Sequence, residues 1–406
     1  MNEYLFPIKT ALITFPIAAF FLTLPFLIIQ YRKYGYVNKY RAFILYSMLL
    51  YGISAYYLVI LPLPTSIHNG AAREAITQYM QLKPFTFVRD TLRETQVSFS
   101  SPTSFIHLFK ERAFLQALFN VFLTVPVGVY LRYYFRRGLG TTIALSFLVS
   151  LFFEITQLTG LYGIYQCPYR LFDVDDLLLN TLGGTIGYWI TPILVAFLPK
   201  TDQLDANVEL DKMTVGYIRR GIAFVFDNII VNMFIPILSS VVGVSTLVLN
   251  QSTELGSLEE KFIRTICFVV VILIYFMVIP TVSGGRTLGK WITRIHVVAD
   301  RREGEEQEIT FIDLFKRYGL LYYGVYGMFV LIGWISNNGE LPPYAIVALF
   351  LVQAAYVGIL GLYFIIQLFR GNKILFYERV SGTRNIISIE DIKKDGMGDK
   401  PKAMGE

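Results

Sequence analysis

Glu154-Ile-Thr-Gln157, Arg170-Leu-Phe-Asp173-Val-Asp175-Asp176, Asn180 and the glycines Gly183, Gly184 and Gly187 follow one another between two apolar stretches of the chain. A carboxylate at the centre of a membrane helix costs about 2.5–3.5 kcal/mol even on the lenient insertion scale, so it persists where it faces a partner or a cavity. Arg170 is the one cation beside four carboxylates in this stretch. Such a net-negative pocket suits an amine or a cation, or a proton-transfer pair whose pKa values proximity pushes apart. The competing reading is architectural: Arg170 and the aspartates staple a loop to helix ends, with Asp173 or Asp175 capping the helix that follows. A cap does not account for Glu154, which lies within an apolar span. Gln157 shares the face of Glu154, and Asp176, Asn180, Gly183 or Gly184, and Gly187 recur at helical spacing. That stripe begins polar and continues small, and small residues let a second helix approach closely. The approach brings Glu154 or Asn120 beside Asp176.

A second group of charges opens with Arg219-Arg220 and Asp227, the one charged residue inside its span. The spacing of Arg and Asp permits only a partial bridge along one helix, so Asp227 is expected to meet another helix or water. Gly284-Gly285-Arg286-Thr287-Leu288-Gly289-Lys290 invites a phosphate-loop reading, but the GxxxxGK-Ser/Thr spacing is not met and Trp291 stands where the hydroxyl belongs. The segment instead reads as a short cytoplasmic re-entry followed by a β-hairpin near 295–311, turning at Arg301 to Glu306.

The elements that must carry these residues follow from composition. The 406 residues are 54% hydrophobic and only 16% charged, with a mean hydropathy of +0.51, which marks a polytopic membrane protein. Nine continuous apolar runs reach the roughly 20 residues a membrane helix needs: 10–31, 42–61, 114–131, 141–159, 177–198, 221–249, 265–283, 318–336 and 343–369. Continuous rather than alternating hydrophobicity excludes a β-barrel. The fold class is therefore all-α, a transmembrane helical bundle in two membrane domains.

Lys and Arg gather in every second connection, which puts the N-terminus outside and the C-terminus in the cytoplasm. The isoelectric point near 9.0 is thus a topogenic signal, and no basic-aromatic groove suggests nucleic acid. The first run reads as a retained helix, not a signal peptide. Residues 1–200 form the first domain, with an outer loop at 62–113 whose amphipathic stretches near Arg89–Gln96 and His107–Gln116 suit the membrane surface. A charged linker at 201–212 leads to a second domain at 213–390, and 391–406 reads as a disordered tail. Cys167 and Cys267 lie at different depths, so no disulfide is expected. His68, His107 and His296 are scattered, so no metal site is expected either.

Over roughly residues 40–195 the chain resembles the VanZ-like family, named for a teicoplanin-resistance protein. Lys83-Pro84-Phe85-Thr86, Asn120 through Pro126 and Gly128, Glu154 to Gln157, and Arg170 to Gly187 carry the resemblance in order. Over roughly 213–390 it resembles the RDD family through Arg219 or Arg220, Asp227, Gly284 to Lys290, Arg317 and Glu378-Arg379, with Glu378 standing where that family has its second aspartate. The first resemblance implies an extracytoplasmic-facing module of a bacterial plasma membrane, linked to glycopeptide tolerance. The second implies cation movement in exchange for protons, with Asp227 as the coupling carboxylate.

Three functions follow. An outer cluster of Asn120, Glu154, Gln157, Arg170, Asp173, Asp176 and Asn180 binds a cell-envelope ligand, either a lipid-linked wall precursor or a glycopeptide. Alternatively, the chain transports a cation, proton or small solute through an inner cluster of Arg219, Arg220, Asp227, Arg286 and Glu378. Thirdly, it is a non-catalytic scaffold. Membrane lipids are partners in all three, and no cofactor is called for. No Ser or Thr has a His at meaningful spacing, so the reading leans away from an enzyme, leaving Glu154 with an aspartate as the one acid-base route.

Overall fold

The computed structural model describes residues 2–69, 76–94, 109, 111–201, 203–205, 208–251, 256–300, 307–338, 342–370 and 374–394. His107, the 301–306 turn and most of the 391–406 tail lie outside them. The chain divides into two compact units, one of Met1–Pro25 with Asn38–Asn207 and one of Phe26–Val37 with Val208–Glu406. It is a membrane-embedded helical protein: among the described residues eight helices are long and apolar enough to cross a membrane.

The first unit holds α1 (Asn2–Tyr34), whose last turns belong to the second unit, α2 (Lys39–Ile60), β1 (Met80–Gln81), α3 (Thr86–Glu94), α4 (Arg112–Tyr133), α5 (Leu139–Leu158), the short turn α6 (Gly160–Gly163), β2 (Phe172–Asp173) and α7 (Val174–Leu194). Asn38 starts α2 by accepting the Tyr40 and Arg41 N–H groups, and Pro62 follows its end, where the ring forbids further helix. Arg41 binds both oxygens of Asp205 at 2.9 and 2.7 Å, so part of the stretch read as a solvated linker is fastened to α2.

Close contact between α4 and α7 organises the unit. A Cβ at Gly183 or Gly187 would fall inside van der Waals contact of the Val121 and Val125 carbonyl oxygens, so only glycine permits the two backbones to meet there. The matching face of α5 carries Thr142, Ser146, Ser150 and Glu154 at four-residue intervals, all buried. Ser146 lies against Gly184, and Asn180 donates to Ser150 at 2.9 Å.

The second unit holds α8 (Tyr217–Asn250), α9 (Ser257–Leu273), which continues through a π-helical turn at Ile274–Val278 into α10 (Ile279–Val282), α11 (Leu288–Ile292), β3 (Ile295–Ala299), α12 (Phe311–Tyr318), a π-helical stretch at Gly319–Tyr326, α13 (Gly327–Asn338), α14 (Pro343–Arg370), α15 (Phe376–Ser381), β4 (Thr383–Ile387) and α16 (Ile389–Ile392). The eighth apolar run, 318–336, is helical but interrupted by the second π-helical stretch. Phe276 in the first π turn stacks on Tyr322 in the second, ring centroids 4.4 Å apart, within the unit's apolar core.

The hairpin expected at 295–311 is corrected. Ile295–Ala299 pairs antiparallel with Thr383–Ile387, and the near side contributes one bridge, Ala299 with Gln307. Thr310 ends the extended run because it caps α12, exchanging hydrogen bonds with Asp313; that capping box commits Phe311 to a helix.

Gly187→Val is expected to force α4 and α7 apart and to destabilise the first unit by about 1–3 kcal/mol or more, the range of core overpacking. Thermal unfolding in detergent measures this, with Gly140→Ala, where an added Cβ meets nothing within 4 Å, as the unaffected control.

Candidate functional site

At the end of the first unit where α2 and α5 finish and α4 and α7 begin, four carboxylates gather in two roles. Asp173 is the N-cap of α7, its Oδ1 accepting the Asp175 N–H at 2.8 Å. Burial first, and then the neighbouring Asp175 and Asp90 charges, push the Asp173 carboxyl up, against the lowering effect of the Asp175 N–H. Asp175 reaches the connection between α2 and α4 instead: its oxygens accept the Phe85 and Phe87 N–H groups at 2.5 and 2.9 Å. With β1 paired in parallel to β2, it clamps the start of α3 onto the start of α7. The sequence offers Asp175 only as an alternative cap, because an extended stretch followed by Phe-Thr-Phe gives no hint of its partner.

Glu154 and Asp176 are left with little. Glu154 is 3% exposed, and its Oε2 accepts the Asp173 N–H at 2.9 Å. Asp176 accepts the side-chain amide of Asn120. Among the described residues neither forms an ion pair. Arg170 is exposed and donates to the Leu61 carbonyl at 3.1 Å, within electrostatic reach of both carboxylates. Gln157 donates to the Val59 carbonyl at 2.9 Å and so fastens α5 to α2. Asn180 lies a turn deeper, with its Oδ1 buried and unpartnered. The cluster therefore separates into tethers (Gln157, Asp173, Asp175) and a pair of under-bonded carboxylates, Glu154 and Asp176, with one cation at the rim.

The second unit handles its charges differently. Glu378, 2% exposed, accepts Arg220 at 2.7 Å, Arg317 at 3.1 Å, Asn385 at 2.7 Å and the Leu375 N–H at 3.0 Å. One carboxylate thus joins α8, α12, α15 and β4. Arg317 also donates to Thr383 at 2.7 Å and lies 4.9 Å from the centre of the Tyr377 ring, whose hydroxyl is pushed up to about 12 by burial. Asp227 accepts Tyr275 at 2.8 Å, Thr287 at 2.7 Å and the Gly289 N–H at 2.8 Å, with the Lys290 Nζ at 3.8 Å. A Cβ on Gly289 would collide with Ala223 and Asp227, so the glycine-rich stretch serves helix packing.

The five residues expected to form the second cluster do not all meet. Arg219 spends its guanidinium on the carbonyls of Thr293, Gly35 and Arg294 at 2.7, 2.6 and 2.8 Å, and Arg286 pairs with Asp391 at 3.0 Å. A small cavity of about 60 Å³ touches Arg220, Asp227, Lys290 and Arg317, linking the Glu378 and Asp227 groups. The Arg317 and Lys290 partnerships escaped the sequence reading, although both positions stand in the stretches that carry the RDD resemblance.

Removing one partner of a buried ion pair strands the other charges and costs about 3–5 kcal/mol, so Glu378→Ala is expected to unfold the second unit, as read by protease susceptibility in detergent. Glu378→Asp is expected to retain part of the loss because its shorter carboxylate reaches one arginine.

Two family models match the chain: VanZ/LLP1 over residues 45–195 and the RDD family over residues 214–373. No curated protein and no solved structure matches it.

Proposed function

Because the chain joins a VanZ-like half to an RDD-family half, we propose that it is a multi-pass protein of the bacterial plasma membrane, N-terminus outside. Its first half binds a cell-envelope ligand at Glu154 and Asp176 and thereby contributes to glycopeptide tolerance. One observation carries the reading: two carboxylates at the end of a close-packed bundle have one hydrogen bond each among the described residues, whereas the carboxylate of Glu378 has four donors. Glu154 is buried and Asp176 half-buried, and each keeps an oxygen to which no donor among the described residues is bonded, open to one that a ligand supplies. A ligand bearing ammonium or hydroxyl groups does so, a description that fits both a glycopeptide and a sugar-bearing wall precursor.

Glu154→Gln and Asp176→Asn keep the shape and remove the charge. Each is expected to lower teicoplanin tolerance about tenfold at matched membrane abundance, since losing a charged hydrogen-bond partner costs 1–3 kcal/mol. Unchanged tolerance in both variants defeats the reading.

A second reading, cation-for-proton exchange by the RDD-family half, is favoured by Asp227, which is 1% exposed and faces Lys290 across 3.8 Å. Displacement of that ammonium by an entering cation would exchange one charge for another at the same carboxylate. Proteoliposomes carrying a pH-sensitive dye are expected to show sodium-driven proton flux that Asp227→Asn abolishes. Flux that persists in the variant, or is missing from the unaltered protein, rules exchange out.

A further inference from the structure

Helix α3 is amphipathic in an unusual sense. Its half-buried side carries Thr86, Phe87, Asp90 and Thr91, while its open side carries Val88 and Leu92, 41% and 64% exposed, next to the exposed Arg89 and Arg93. Leu82 and Phe85, 59% and 63% exposed, continue the apolar side before the helix begins. Phe85 adopts a left-handed backbone, φ 63°, uncommon for a bulky residue, and its N–H is held by Asp175 at 2.5 Å. Water does not favour four large apolar side chains displayed together. Interleaved cations do not favour a protein core. The boundary between phospholipid headgroups and acyl chains accepts both, with arginine and lysine stems lying in the apolar zone and their charges rising to the phosphates.

The rest of this end of the unit presents similar chemistry. β1 and β2 fasten α3 to the first residue of α7, where a membrane span begins, and the neighbouring connection between α5 and α7 also exposes Tyr162, Ile164 and Leu171 at 59%, 63% and 46%. The charges of the α3 segment are Lys83, Arg89 and Arg93 against Asp90 and Glu94, with Arg89 touching Asp90 at 3.5 Å. A net positive balance remains for phosphate.

We propose that the open face of α3 seats in the phospholipid headgroup layer beside the bundle, so that the Glu154–Asp176 pair is approached from the lipid surface and takes a lipid-anchored ligand. The occupant is the bilayer itself. The ligand class rests on the reading of Glu154 and Asp176 as the binding pair; the seat does not, because Asp175, a tether, forms the link.

The test needs no ligand. The full-length protein with Leu92→Trp, and separately with Val88→Trp, is reconstituted in vesicles of phosphatidylcholine and phosphatidylglycerol, and the emission added over the unaltered protein is measured. Acyl-brominated lipids are expected to quench most of that added emission, and aqueous iodide little of it. Arg89→Gln with Arg93→Gln is expected to weaken the lipid quenching at Leu92→Trp. Quenching by iodide alone puts the face in water, and indifference to both quenchers puts it under protein; either result overturns the proposal. Both positions are exposed, and agreement between them guards against one misfolded variant. Unchanged tolerance in Glu154→Gln and Asp176→Asn would end the binding reading and leave the lipid seat standing.

Discussion

A carboxylate withdrawn from water must be met by hydrogen-bond donors or by countercharge, and the second half of this chain is built around meeting that demand at one atom group. Glu378 collects two guanidinium groups, an amide and a backbone N–H. The donors come from elements far apart in sequence, so the residue fixes the mutual placement of α8, α12, α15 and β4. Asp227 repeats the solution one layer away with a phenol, a hydroxyl, a backbone N–H and a nearby ammonium. Desolvation on this scale is offset only by near-complete bonding, and both carboxylates have it.

The first half is organised by contact rather than charge. Glycines let α4 and α7 touch backbone to backbone, and the hydroxyl file on α5 gives the same face small polar side chains that hydrogen-bond across helices. Within apolar surroundings helix association relies on such close packing and on interhelical hydrogen bonds. A bundle that tight holds Glu154 and Asp176 on helices, and side chains on rigid helices are positioned more accurately than side chains on loops.

Much of this was legible in the sequence because the signals are local. Continuous apolar runs of about 20 residues predict spans directly, and the glycine spacing of Gly183 and Gly187 predicts a close helix contact. The 318–336 run was legible as apolar, but its π-helical interruption was not, and neither was the stacking of Tyr322 in it on Phe276 from another helix. The pairing of Ile295 with Ile387 was hidden as well: strand partners 92 residues apart leave no periodic trace, whereas the adjacent Ile309-Thr-Phe311 offers a plausible but wrong neighbour. Glu378 is legible through its resemblance alone, which also names Arg220 and Arg317 but does not tell that both bind it. Asp173 and Asp175 could be read as caps or tethers but not assigned, because each choice depends on which backbone N–H comes within reach.

The contrast between the halves limits where a ligand can be held. Glu378 has no spare acceptor capacity, so a solute binding there has to break a bond that supports the fold. Asp227 can exchange only Lys290, its longest contact at 3.8 Å, without giving up a hydrogen bond below 3 Å. Glu154 and Asp176 have bonding capacity left and lose no structural contact by using it, since the tethering at their end falls to Gln157, Asp173 and Asp175. Separation of tether from acceptor is what a binding site requires, because a group that both supports the fold and receives a ligand must pay for one role with the other.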